Sequence, residues 1–165
     1  MRRIAIVGLG LITAGNTRAF EDFKTESARV SAEIACPKPK VNQGAGLDAL
    51  YMCIGGHSET VKVFINADDG EVGVHNLKFM WNDWTKDIGY GVHADAAIAK
   101  AWLAALATRY APHQVAEVVD VFFSDRGATI RNDMYVLTYT YRVGPSIDER
   151  MIVITKAPRI ASDGH

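Results

Sequence analysis

The residues best suited to chemistry lie close together between positions 81 and 95. Carboxylate and imidazole groups can bind a metal ion, and aromatic rings can line a pocket for a small or extended ligand. The spacing matches neither a calcium loop nor a zinc motif, and acidic residues near a helix start commonly act as caps. We therefore predict a ligand or partner site here, with a small metal-dependent or hydrolytic enzyme as the alternative. The candidate residues are Trp81, Asp83, Trp84, Asp87, Tyr90, His93 and Asp95.

The other nucleophiles and bases do not form a recognisable catalytic set. Ser58 follows His57 directly, but no GxSxG elbow surrounds it, and adjacent residues seldom form a base and nucleophile pair. The five histidines show neither HxxxH nor HExxH spacing. The sequence therefore identifies no catalytic residue, no metal ligand set and no cofactor.

The candidate stretch must be held by the elements on either side of it. Residues 60–66 and 71–81 alternate apolar and polar side chains around an Ala-Asp-Asp-Gly turn, which predicts a β-hairpin. Residues 94–110 are apolar over most of a helical surface, which predicts a largely buried helix. Residues 112–124 repeat apolar positions at helical spacing, with a strand as the alternative. The candidate stretch thus joins a strand to a helix, where a loop can hold polar groups at angles that regular elements do not allow.

The region before the hairpin is less regular. Residues 20–27 are charged without a clear period, which predicts a loose lead-in. Residues 28–35 alternate apolar and polar side chains and predict a half-buried strand, with a helix as the alternative. Residues 36–46 are rich in proline and glycine and predict a loop, and residues 47–54 fit a helical turn or a strand.

Three strands are predicted after the helices, at residues 128–131, 134–142 and 149–156. In the middle strand Tyr135, Tyr139 and Tyr141 fall on one face, which we expect the helices to cover. The order of strand, hairpin, two helices and three-strand meander predicts an α+β domain, with an antiparallel sheet and helices packed on one face.

The first 19 residues have the composition of a secretory signal peptide. Met1-Arg2-Arg3 is basic, residues 4–12 are uncharged and apolar, and Thr17 and Ala19 are placed as at a cleavage site. The apolar run is shorter than the ~20 residues of a membrane-spanning helix. We expect residues 1–19 to be removed, residues 20–158 to form a single domain without an integral membrane span, and residues 159–165 to form a flexible tail.

The same segment has a second interpretation. The run Ile4-Ala-Ile-Val-Gly8-Leu-Gly10-Leu-Ile-Thr13 resembles the opening strand and glycine turn of a dinucleotide-binding Rossmann domain, which implies a pyrophosphate at a helix N-terminus. Thr13 occupies the position of the third glycine, and the chain lacks the alternating strands and helices of a doubly wound sheet. A cytosolic nucleotide binder through Gly8 and Gly10 is therefore the second alternative.

Composition restricts the partners and the compartment. Residues 1–19 carry three arginines and no acid, so the rest of the chain has 15 basic and 19 acidic side chains, without the basic stripe of a nucleic-acid-binding protein. Cys36 and Cys53 do not have CxxC spacing, and such a pair in an exported protein predicts a disulfide. We therefore predict an exported, periplasmic or secreted, non-catalytic binding or assembly protein whose partner is a protein, a peptide or an envelope component.

Intact mass spectrometry of the native protein, purified without reduction from the cell that makes it, tests the signal peptide. We expect a mass that lacks residues 1–19 and lies about 2 Da below that of the reduced chain, since disulfide formation removes two hydrogen atoms. The same sample after reduction is the control for the difference of about 2 Da. Retention of Met1 would favour the nucleotide-binding alternative.

Overall fold

The sheet and its helices are seen in a computed structural model that describes residues 19–43, 48–70, 72–87 and 89–158. Residues 1–18 of the predicted signal peptide, including Gly8 and Gly10, and the predicted tail at 159–165 lie outside the described residues. The described elements are α1 (Phe23–Glu33), β1 (Lys40–Asn42), β2 (Leu50–Gly55), β3 (Val61–Ala67), β4 (Val74–Trp84), α2 (Ala96–Tyr110), α3 (Val115–Phe122), β5 (Ala128–Arg131), β6 (Tyr135–Arg142) and β7 (Ile147–Lys156).

The predicted fold class is confirmed. The strands form one antiparallel seven-stranded sheet in the order β1-β2-β3-β4-β7-β6-β5, and the helices pack against it in an α+β arrangement. None of the helices in the described ranges is long and apolar enough to cross a membrane.

The hairpin and the C-terminal meander form where the alternation predicted them, with small shifts at their ends. β3 and β4 pair antiparallel, and β4 continues beyond the predicted end to Trp84. β7 begins at Ile147, two positions before the predicted start. Because β4 and β7 pair along these extensions, Asp83 comes to lie opposite Asp148. The candidate stretch therefore begins inside the sheet.

The predicted loose lead-in at 20–27 and the strand favoured for residues 28–35 were wrong. Helix α1 replaces both, and for residues 28–35 it is the alternative that the sequence left open. Asp22 caps it, because its carboxylate accepts a hydrogen bond from the Thr25 amide at 3.0 Å. Inside the helix Glu26 is buried and accepts hydrogen bonds from Arg109 Nε at 2.8 Å and from the Tyr110 hydroxyl at 2.5 Å. These contacts from α2 fix a segment whose local alternation favoured a strand.

The proline-rich loop also contains an element that the sequence did not predict. Within residues 36–46, Lys40–Asn42 form the edge strand β1, which pairs with β2. The predicted disulfide is confirmed, with Cα atoms of Cys36 and Cys53 6.1 Å apart. Since Cys36 follows α1 and Cys53 lies in β2, the bond fastens this helix to the first full-length strand of the sheet.

The second and third helices cover the centre of the sheet. α3 is a helix, as its periodicity predicted, and its Phe122 ring lies 5.1 Å from Phe79 of β4 and 5.4 Å from Tyr139 of β6 between ring centroids. Tyr135 and Tyr139 are buried as expected, and Tyr141 at the sheet end is half-buried. The core therefore lies between one face of the sheet and the three described helices.

Burial alternates along the central strands and defines two faces. In β3, in β7 and in β4 from Leu77 onward, every second residue is buried, and most of the residues between them keep partial exposure. We call the side under the helices the covered face and the other side the open face. The helices leave the open face without a second layer among the described residues.

Reduction of the disulfide provides a test of how α1 is held. A closed loop with this sequence separation of 17 stabilises the fold by about 3 kcal/mol in the chain-entropy model. We expect urea unfolding of the oxidised and the reduced protein to differ by about that amount. Hydrogen exchange should also rise more in α1 than in α2 on reduction, because only α1 loses a covalent tether. Equal exchange changes in the two helices would contradict this role.

Candidate functional site

The end of β4 directs two candidate residues to opposite faces of the sheet. Asp83 continues the inward alternation of Trp81 and is 1% exposed, whereas Trp84 lies on the open face. β7 places Asp148 opposite Asp83 and Ile147 opposite Trp84. The candidate stretch therefore contributes to two surfaces and not to one pocket.

A buried guanidinium group organises the covered side of this end. Arg150 Nε donates to Asp83 Oδ2 at 3.2 Å, and Nη2 donates to Asp125 Oδ1 at 3.0 Å. Nη1 donates to the Tyr139 hydroxyl at 3.1 Å and to the Ser124 carbonyl at 2.9 Å. Because the Asp125 side chain is 71% exposed, Asp83 is the partner that neutralises the guanidinium inside the fold.

His93 connects this network to the surface. Its Nδ1 lies 2.8 Å from Asp83 Oδ1, and its side chain is 59% exposed. Its backbone has a φ of +56°, and its amide donates to the Trp84 carbonyl at 2.7 Å. A carboxylate behind an exposed imidazole orients the ring as it does for a general base. This contact is the observation that favours the hydrolytic alternative.

A second carboxylate lies next to Asp83 but makes separate contacts. Asp148 accepts hydrogen bonds from the Tyr141 hydroxyl and, at 3.1 Å, from the Gly144 amide. The bond with Tyr141 lowers the pKa of Asp148 below its usual value and raises the pKa of Tyr141 to about 12. The Arg150 guanidinium carbon also lies 4.6 Å from the Tyr141 ring centroid. These contacts close the β6–β7 turn around an ionised carboxylate.

Asp87 stabilises its own loop. Its Oδ1 accepts hydrogen bonds from the Gly89 amide at 2.9 Å and from the Gly91 amide at 3.1 Å. These backbone hydrogen bonds lower the pKa of Asp87, since they favour its charged form.

Asp95 joins the connector to a distant turn. It precedes α2 but makes no side-chain cap for it. Its carboxylate accepts hydrogen bonds from the His57 amide at 2.8 Å, the Ser58 amide at 3.0 Å and the Thr60 hydroxyl at 3.0 Å. Gly56, with a φ of +88°, lets it approach, because a Cβ there would lie 2.1 Å from Asp95 Oδ2. Asp95 therefore links the connector to this turn and does not cap α2.

The four polar candidates consequently do not converge. Asp83 and His93 touch each other, while Asp87 and Asp95 each bind backbone amides elsewhere. Across the described ranges, no group of three His, Cys, Asp or Glu side chains is arranged to hold a metal ion. The geometry therefore gives the metal-dependent interpretation no ligand set in this part of the chain.

The aromatic candidates also separate. Trp81 is buried, donates its indole N–H to the Ala94 carbonyl at 2.9 Å, and packs against Phe123. Trp84 and Tyr90 instead stack on each other with ring centroids 5.0 Å apart. Trp81 therefore closes the core, and the stacked pair lies at one end of the open face.

The open face combines apolar with polar side chains. A sheet surface that faces water normally carries polar side chains, whereas here each of five neighbouring strands, β2, β3, β4, β7 and β6, contributes at least one apolar residue. Met80 lies directly opposite Met151, and Phe64 lies opposite Met52. The apolar residues that the strands place on this face are Leu50, Met52, Ile54, Phe64, Met80, Trp84, Val136, Ile147, Met151 and Val153.

The charges of the open face are mostly positive. The registers place five basic residues of the strands on this side, against the single acid Glu149. Glu149 lies 4.0 Å from one of them, Arg142. The basic residues are Lys40, Lys62, Lys78, Arg131 and Arg142.

Sequence reasoning missed the residues that organise the covered side of the site. Arg150 lies in the predicted strand 149–156 and Asp125 precedes the predicted strand 128–131, and neither was among the candidates. The available signal was the phase of Arg150, which alternates with Ile152 and Ile154 and so points toward the core. A buried arginine requires an acidic partner, but the alternation does not say which acid supplies it.

Comparison of the chain with protein-family models, curated proteins and solved structures finds no match.

Removal of Asp83 tests the central ion pair. In Asp83→Ala the buried Arg150 keeps its charge without its inner carboxylate, which costs about 3–5 kcal/mol of unfolding free energy. Asp125→Ala is the matched control, because it removes an exposed carboxylate from the same guanidinium group and should cost less than about 1 kcal/mol. Urea unfolding of the two variants measures both values. Equal losses of unfolding free energy in the two variants would show that Asp83 stabilises Arg150 no more than Asp125 does.

Proposed function

We propose that this protein is an exported, periplasmic or secreted, non-catalytic binding or assembly protein whose binding surface is the open face. The observation that carries the proposal is a sheet with helices against one side and an apolar, basic surface on the other. The Trp84–Tyr90 stack extends this surface at one end. Its partner is a protein or peptide segment that combines acidic and apolar side chains.

The apolar content of the open face supports binding rather than simple solvation. Contiguous apolar surface bounded by polar residues is characteristic of interaction sites. Methionine side chains adapt to different partner shapes, and aromatic residues contribute strongly at interface centres. Met80 and Met151 occupy the middle of the face, and Trp84 lies at its end. These residues would therefore contribute most of the binding free energy.

The charges support the choice of partner. Five basic residues lie among and beside the apolar residues on this side, although residues 20–165 carry more acidic than basic side chains. An uneven distribution of this kind attracts oppositely charged partners and raises association rates at low salt. It also disfavours pairing between two open faces of this protein, because like charges would meet.

The disulfide supports a location in an oxidising compartment. The Cys36–Cys53 bond is formed in the fold, and structural disulfides persist mainly in oxidising environments outside the cytoplasm. Residues 1–19 also have the composition of a signal peptide. Export of the protein would account for both this composition and the disulfide.

The second candidate function is a small hydrolytic enzyme that uses the connector. It is favoured by the contact between His93 and Asp83, since that pair could act as an oriented general base. This candidate would be favoured over the first if a hydrolytic activity of the protein is lost in His93→Ala. Binding of a partner should then be unchanged in variants of the open face.

Recovery of partners from the exporting cell tests the proposed function. Chemical cross-linking and purification of tagged wild-type protein should yield a partner that is at least tenfold depleted with Trp84→Ala or with Lys62→Glu/Lys78→Glu. The partner should also dissociate as salt rises, because the basic residues contribute to binding.

Lys100→Glu is the matched control. It reverses one lysine charge, against two in Lys62→Glu/Lys78→Glu, on the exposed side of α2, away from the sheet, and should leave recovery unchanged. Recovery that is equal for all variants, or no specific partner at all, would reject the open face as the binding surface.

A further inference from the structure

The geometry points to a separate binding site for a small amphipathic carboxylate, such as a medium-chain fatty acid, in a cleft between α1 and the first two strands. The cleft has a volume of about 430 Å³, within the range of about 300–1,000 Å³ that is typical of small-molecule sites. It lies on the covered side of the sheet, so its occupant would not compete for the open face.

The walls of the cleft are mainly apolar. Phe23 and Ala28 contribute from α1, Val41 from β1 and Tyr51 from β2. Val41 lies opposite Tyr51 in the register, which puts both on the side that faces α1. This composition suits an alkyl or aromatic body.

The disulfide fixes the two walls relative to each other. Cys36 follows the last turn of α1, and Cys53 lies two positions after Tyr51 on the same face of β2. A cleft whose walls are covalently joined binds a ligand with little loss of conformational freedom in the protein.

Two buried hydroxyl groups supply the second observation. The Ser27 and Tyr51 side chains line the cleft, and the residues are 5% and 2% exposed. Neither hydroxyl has a hydrogen-bond partner among the described residues. Burial raises the pKa of Tyr51. The nearby Ser31 hydroxyl lowers this pKa by a smaller amount, and it does not have the geometry of a hydrogen bond to Tyr51. Buried polar groups are normally paired, and a ligand in the cleft would pair these two once their side chains turn toward it.

The polar groups of the lining specify the head group of that ligand. Lys24, Ser27, Ser31, Gln43 and Tyr51 can all donate a hydrogen bond, and the described lining includes no acidic side chain. The charged member, Lys24, is positive. A carboxylate attached to an apolar body therefore satisfies the donors and the charge together.

Calorimetric titration of the oxidised protein provides the test, with three probes that share one alkyl chain: decanoate, decan-1-ol and decylamine. We expect saturable one-to-one binding of decanoate, at least tenfold tighter than decylamine, because Lys24 attracts the first head group and repels the second. Decan-1-ol should bind with intermediate affinity.

Two conservative variants assign the contacts. Lys24→Gln should weaken decanoate about tenfold and leave decan-1-ol unchanged, whereas Tyr51→Phe should weaken both about three- to tenfold through loss of one hydrogen-bond donor. Lys100→Gln and Trp84→Ala are controls, since they change a remote lysine and the open face. Circular dichroism of each variant confirms that the fold is retained.

Three results would overturn the proposal. These are no saturable binding of decanoate, a preference for decylamine, and decanoate affinity that changes in Trp84→Ala but not in Tyr51→Phe or Lys24→Gln. The last result would place the alkyl chain on the open face.

Discussion

The neutralisation of Arg150 inside the sheet is the interaction on which this end of the structure depends. β4 and β7 are neighbours in the sheet although the helices separate them in the chain, and the Arg150–Asp83 pair joins them on the covered face. The same guanidinium group binds the Ser124 carbonyl and the exposed Asp125. It therefore holds the segment after α3 against the central strands. A charge at this depth is tolerable only because its carboxylate and carbonyl partners are supplied by distant parts of the chain.

Coverage of the sheet on one side explains the two surfaces that we propose for binding. Helices α2 and α3 pack on the central strands, and α1 is tied to β2 by the disulfide. The open face retains apolar and basic residues. On the covered side, a cleft lies between α1, the exposed edge strand β1 and β2. The two surfaces lie on opposite sides of the sheet, so their occupancy can be measured separately.

The polar residues of the connector illustrate how similar side chains acquire different roles. Asp83, Asp87 and Asp95 are spaced closely enough to suggest one site, yet each binds a different part of the fold. Asp87 bonds to amides within its own loop, so this role was accessible from sequence. Asp95 bonds to a turn more than 30 residues away, and local pattern contains no information about that distance.

The sequence by itself determined the elements whose periodicity is local: the hairpin, the two central helices, the meander, and hence the α+β class. It also determined the cysteine pair that forms the disulfide. Tertiary structure decided that Phe23–Glu33 is a helix and not the strand that its local alternation favoured, because buried Glu26 requires Arg109 and Tyr110 from α2. It likewise decided which aromatic residues close the core and which remain on the open face. The physical reason is that alternation fixes the relative phase of side chains within a strand, whereas contacts between distant segments fix which phase is buried.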